Sequence, residues 1–257
     1  MTLHGLLLFE TKRRLKRRMI WLFIAITFLP ALLVLWLQML SLSGLVPASR
    51  VLQQNVNALI VQTYPLLFIA TIIIATGTIG EDRHDGSIAL VPCLPFSKSM
   101  YLWARLLSTI VIGVVSLAVS ILLLFAVYHL SVVGFLESGF TIFRTILGLS
   151  LGIAVLATVF NFIGLVFRRG YTAAFIYYLL WESVFSYVLG VQKLTILYYV
   201  RNLLPMPESG LKAMLAVLDK DPPSTATAIG ILLVIGAIFA FAGYYVFRKK
   251  QFTIKSA

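Results

Sequence analysis

Six stretches of this chain run for 21 residues or more almost without charge: Met19–Leu42, Ala58–Ile79, Met100–Tyr128, Ile142–Phe167, Tyr171–Val191 and Thr225–Phe247. About 20 apolar residues in a helix match the hydrocarbon core of a bilayer. The chain is 60% hydrophobic and 12% charged, against roughly 45–50% apolar and about 25% charged in soluble domains. A soluble fold of 257 residues could not hide that much apolar surface, so lipid is the expected solvent. The pattern predicts an all-α integral membrane protein with six transmembrane helices and no appended soluble domain. Residues 1–18 precede the spans and 19–257 form the six-span domain.

The net charge of +12 does not point to nucleic acid. Its basic residues sit at the ends of apolar runs, where the positive-inside rule places them, and no basic face remains once the spans are removed. With six spans both termini share one side. That side carries Lys12, Arg13, Arg14, Lys16, Arg17, Arg18, Arg83, Lys98, Arg105, Arg168, Arg169, Arg248, Lys249, Lys250 and Lys255. The other carries only Arg50, Arg144, Lys193, Arg201, Lys212 and Lys220. The basic side is therefore expected to be cytoplasmic.

Before the first span, Leu6, Leu7, Leu8, Phe9 and Leu15 are mixed with dense positive charge, which reads as an amphipathic helix in the cytoplasmic interface. Arg168-Arg169-Gly170 leaves room only for a tight hairpin between the fourth and fifth spans, with glycine expected to supply the turn conformation. The segment Gln192–Ser224, with Tyr198-Tyr199 and Pro205-Met206-Pro207, is expected to form short re-entrant or surface helices on the outer side.

The polar insert Gly80–Ser99, GEDRHDGSIALVPCLPFSKS, interrupts this apolar pattern. It holds Glu81, Asp82 and Asp85, three of the nine acidic residues. Gly80 ends the second span, and Asp85 or Ser87 can cap a new helix. Ile88, Leu90, Val91 and Leu94 supply its apolar side, Pro95 stops it, and Ser97 starts the next span. The product is a short cytoplasmic helix lying across the membrane axis with acidic residues at its entrance.

The run Glu81–Lys98 resembles the first cytoplasmic loop of type-2 ABC exporter permeases. In that family an acidic start, Gly-Thr/Ser, a short leucine-rich coupling helix and Pro-x-Ser-Arg/Lys lie between the second and third spans. Glu81, Gly86, Ser87, Ile88, Leu90, Leu94, Pro95, Ser97 and Lys98 fall on matching positions. The six-span layout, the basic helix before the first span and the large outer loop before the last match as well. One departure is Pro92, where the family usually has a helix-forming aliphatic residue. Proline leaves the coupling helix either short, ending near Val91, or bent.

The resemblance implies a non-enzymatic permease subunit in the plasma membrane of a prokaryote. Cytoplasmic ABC ATPase subunits would hold ATP and Mg, and a second permease copy or homologous chain would complete the pathway. Glu81, Asp85, Gly86, Ser87, Ile88, Leu90, Val91, Leu94 and Pro95 would couple the ATPase to the spans. The chain has no G-x-x-x-x-G-K-[ST] phosphate-binding loop of its own.

Glu182 is the one acidic residue deep within a span. Intramembrane carboxylates are costly and are functional candidates by default. It could bind a cationic substrate, relay protons or bond across a dimer, or it could simply be a carboxyl hydrogen-bonded inside the bundle. An ion-coupled secondary transporter or channel built on Glu182 is the alternative function. Asn161 could hydrogen-bond to a neighbouring helix. Gly148-x-x-x-Gly152 and Gly236-x-x-x-Ala240 permit close helix approach, more readily within the chain than across a dimer. His4, His84, His129 and the lone Cys93 show no metal-ligand spacing, Met206 and Met214 are a weak copper signal, and no catalytic constellation is assembled within a short segment.

Overall fold

The computed structural model describes residues 3–16, 18–42, 67–77, 97–129, 139–167, 169–188, 190–204 and 223–249. Among them every regular element is helical. Helix α1 is Leu3–Leu15 and α2 is Arg18–Leu42. Helix α3 is the apolar stretch Leu67–Gly77. Helix α4 is Lys98–His129, α5 is Gly139–Val166 and α6 is Gly170–Tyr177. Helix α7 is Ile196–Leu203 and α8 is Thr225–Lys249.

Three helices, α4, α5 and α8, are long and apolar enough along their described residues to cross a membrane. Their starts are set by local chemistry. The Ser97 hydroxyl accepts the Met100 N–H at 3.2 Å, and Ser224 accepts the Thr227 N–H at 3.2 Å. Each serine thus satisfies a backbone donor that the first helical turn leaves unpaired. Ser97 is the residue expected to start this helix. At the far end of α8, Arg248 and Lys249 complement the helix dipole, and Lys249 lies over the Tyr245 ring, 4.4 Å from its centre.

Along the middle of the long helices, large apolar side chains are turned outward. Val111, Val115, Val119, Leu122 and Leu123 line one face of α4, and Leu233, Val234, Ile238, Phe241 and Tyr245 line one face of α8. The hydroxyls of Thr27, Thr71, Thr109 and Ser120 are turned inward, and three of them bond to their own helix. Thr27 donates to the Phe23 carbonyl at 2.8 Å, Thr71 to Leu67 at 2.9 Å and Thr109 to Arg105 at 3.0 Å. Ser120 instead donates to the Thr27 carbonyl at 2.6 Å, joining α4 to α2. Hydroxyls bonded to helix carbonyls inside and apolar side chains outside are what a lipid solvent selects.

Helix α5 is the centre of the bundle and packs against α4, α6, α7 and α8. Its glycines set how close the neighbours come. A Cβ on Gly152 would lie 2.9 Å from Val200 of α7 and 3.0 Å from Phe68 of α3. The G-x-x-x-G pattern therefore serves packing within the chain. Gly170 also serves close approach: a Cβ there would sit 2.8 Å from the Gly164 Cα. Its φ is not positive, so the hairpin needs glycine for space rather than for a left-handed turn.

The stretch expected to be the fifth span is not one α-helix. After α6 the chain loosens and then tightens, with a π-helix over Tyr178–Val184 and a 3₁₀ turn over Phe185–Tyr187. It then reverses at Gly190, where φ is +83°, a conformation that glycine reaches without steric cost. A 3₁₀ turn, Gln192–Leu194, leads into α7. All of α7 except Asn202 is buried, so this helix runs back into the bundle instead of lying on its surface.

Candidate functional site

Two polar clusters lie at opposite ends of the bundle. The first is built around the start of α7, an eight-residue helix held at both ends by charges from other elements. Glu182, on the π-helix and 0% exposed, places Oε2 2.9 Å from the Leu197 N–H, with the Ile196 N–H beside it. Its Oε1 accepts the Tyr177 hydroxyl at 2.9 Å. At the other end of α7, Arg144 of α5 donates from Nε to the Leu203 carbonyl at 2.9 Å.

A helix carries partial positive charge at its N-terminus and partial negative charge at its C-terminus. The carboxylate and the guanidinium each meet the matching end. Thr195, the residue at the N-cap position, makes no cap with its side chain; its hydroxyl donates to the Gln192 carbonyl at 2.8 Å. Glu182 therefore supplies, from 15 residues away, the cap that local sequence omits.

Further contacts stitch the same region together. Arg201 of α7 is buried and bonds to the Ser186 hydroxyl, and it lies close enough to Glu182 to act on it electrostatically. Tyr199 donates to the Lys193 carbonyl at 2.7 Å. A π-turn inserts one extra residue and rotates the side chains beyond it, and here Glu182 ends up facing α7 while Leu180 and Trp181 face outward.

The second cluster joins α1 to α4. Leu6, Glu10 and Arg14 are buried, at four-residue spacing on one face of α1. Arg105 of α4, 1% exposed, brings its Nε to 3.4 Å from Glu10 Oε2. Arg13 approaches the other Glu10 oxygen at 3.7 Å, and Arg14 bonds to the Thr109 hydroxyl. The Arg105 guanidinium also lies 5.0 Å from the centre of the Tyr101 ring, which stacks on Phe247 near the end of α8. Three helices are tied together at the end where α4 leaves the insert.

Arg105 counts in the sequence as a charge marking the cytoplasmic edge. The structure makes it an internal tie, and Glu10 its partner. A lone acidic residue in a basic helix and a lone cation inside an apolar run are the signals that could have paired them. Arg144 and Arg201, counted as outer-side charges, are likewise engaged with the bundle.

Asn161 is buried on α5, beside a crevice shared with α4 and α8 and lined by Thr158, Leu102, Phe239 and Gly243. The crevice, about 10 Å³, has room for one water molecule. Asn161 and Glu182 therefore face different neighbours and do not form one site. Glu81, Asp85, Gly86, Ser87, Ile88, Leu90, Val91, Leu94 and Pro95 lie outside the described residues, as does Pro92. Among the described residues no three His, Cys, Asp or Glu side chains gather as a metal site would require.

Among the described residues these features define a helical protein with helices suited to a bilayer, a buried Glu10–Arg105 ion pair and a buried Glu182 that caps a helix. No family model matches the chain, and no curated protein matches it.

Proposed function

We propose that this chain is the membrane subunit of an ATP-driven exporter, with six spans and both termini in the cytoplasm of a prokaryote. Separate ATPase subunits would engage the insert Gly80–Ser99, and a second permease chain would complete the export path. The observation that carries this reading is the run Glu81–Lys98, whose acidic entrance, short apolar segment and Pro-x-Ser-Lys exit separate two apolar stretches.

The helix after the insert supports it. Helix α4 begins with a Ser97 cap, packs along α5, and is tied to α1 through Glu10 and Arg105. A push on the insert would therefore reach α1, α4 and α5 together rather than bending one free helix. The ion-coupled alternative rests on Glu182, but both of its oxygens already accept hydrogen bonds, one from Tyr177 of α6 and one from the start of α7.

Co-purification with an ATPase carrying phosphate-binding loops, together with ATP-dependent export, tests the reading. Replacing the Asp85–Leu94 stretch with a Gly-Ser linker of equal length should abolish both while the chain still folds. Unchanged assembly and transport in that variant would refute it.

A further inference from the structure

The sequence pattern predicts a helix α1 that is amphipathic in the ordinary sense, with its apolar side in lipid. The structure divides it differently. The buried stripe is Leu6, Glu10 and Arg14, and it is taken up by the ties to α4. The opposite face is exposed and mixed in character. Leu8, Lys12, Leu15 and Lys16 recur on it at spacings of three and four. Leu8 and Phe9 are 55% and 56% exposed, and the Arg13 side chain is 44% exposed. Just beyond, at the start of α2, Trp21 and Leu22 are also exposed.

Two exposed apolar residues on the N-terminal half of a helix, three cations on the next turns, and an exposed tryptophan at the head of the following helix form a graded surface. Apolar side chains can enter the acyl boundary while Lys and Arg extend their stems to reach headgroup phosphates. A tryptophan at that depth suits the interfacial belt. The cations select the charge of the headgroup: Lys12, Arg13 and Lys16 are exposed together, and the one acidic residue of α1, Glu10, is turned inward to Arg105. Most of the outward positive charge therefore faces away from Glu10, which draws only on Arg13 at the edge of this face.

We propose that the exposed face of α1 is a binding surface for anionic phospholipid headgroups, formed by Lys12, Arg13 and Lys16 with Leu8 and Phe9 inserted beside them. The inward ion pair fixes α1 against α4, so lipid bound on this face bears on the helix that begins at the end of the insert. The proposal rests on the chain being embedded in a bilayer and is independent of whether an ATPase partners it. A chain that left the membrane fraction without detergent would fail the first condition and would not touch the second.

Native mass spectrometry of the full purified chain tests it, titrating dioleoyl phosphatidylglycerol against dioleoyl phosphatidylcholine. The wild type should bind phosphatidylglycerol in clear preference. Lys12→Gln with Lys16→Gln should weaken that binding roughly 25-fold, at about five-fold for each cation removed near a membrane surface. Lys193→Gln, exposed at the other end of the bundle, should change it less than about two-fold, because it lies far from the proposed surface. Circular dichroism confirms that each variant is folded, as expected for exposed positions. Equal binding of the two lipids, or a double variant that binds phosphatidylglycerol like wild type, would overturn the proposal and leave an acidic protein surface as the occupant of this face.

Discussion

Glu182 holds the start of α7 in the bundle, and truncating it should show that directly. Glu182→Ala removes the acceptor for the Leu197 N–H and for the Tyr177 hydroxyl, both at 2.9 Å. Hydrogen bonds to a charged group contribute about 1.5–3 kcal/mol each in water-soluble proteins. Within membranes measured values are smaller, averaging about 0.6 and reaching about 1.7 kcal/mol. Taking about 1.5 kcal/mol for each bond and about 0.5–1 kcal/mol for the charge at the helix N-terminus, the loss is about 3–4 kcal/mol. That is a change of more than about 100-fold in the folded-to-unfolded ratio.

Glu182→Gln keeps one carbonyl oxygen in place and loses the charge and one acceptor, so it should cost about half as much. Reversible unfolding in mixed detergent and sodium dodecyl sulfate micelles, followed by circular dichroism, measures both variants. Under the proposed function, ATP-dependent export in proteoliposomes with the proposed ATPase should survive in Glu182→Gln in proportion to the folded fraction. Two outcomes would refute the structural assignment. One is a cost below about 1 kcal/mol for Glu182→Ala, less than a single hydrogen bond to a charged group. The other is a Glu182→Gln variant as stable as wild type but dead in transport, which would make the carboxylate a working group of the export path.

The Glu10–Arg105 tie should show strong non-additivity. Glu10→Gln alone leaves the 1%-exposed Arg105 without its counter-charge and should cost about 3–5 kcal/mol, whereas Glu10→Leu with Arg105→Met together should cost much less. Additive losses in that double-mutant cycle would mean that the pair contributes nothing as a pair. Gly152→Ala should cost about 1–3 kcal/mol in the same unfolding assay, because the new methyl meets Val200 at 2.9 Å and Phe68 at 3.0 Å. A neutral substitution there would show that α3 and α7 are free to move away from α5.

Much of the fold is legible in the sequence because lipid makes the code simple. An apolar run of bilayer length must hide its backbone polar groups in a helix whatever its neighbours are. Helices α2, α4, α5 and α8 accordingly fall on the apolar runs Met19–Leu42, Met100–Tyr128, Ile142–Phe167 and Thr225–Phe247. The Ser97 cap is readable for a similar reason, since it acts on a donor three residues away. The broken winding of residues 178–187 is not. Tyr178–Tyr187 is nearly as apolar as its neighbours, and hydropathy does not distinguish α from π winding.

The sequence by itself determined that this chain is helical, apolar on its outside and interrupted by a charged insert, because composition and run length are local quantities. It also placed Arg105, Arg144 and Glu182 inside apolar runs, where each would need a partner. Only the tertiary structure decided what those partners are. Arg105 meets Glu10 from 95 residues away, Arg144 meets the end of α7 from 59 away, and Glu182 meets its start from 15 away. A charge in an apolar environment announces in the sequence that it must be satisfied, but Coulomb attraction and hydrogen bonding act through space. Which group lies within about 3–4 Å is settled by the packing of helices, which the local pattern does not encode.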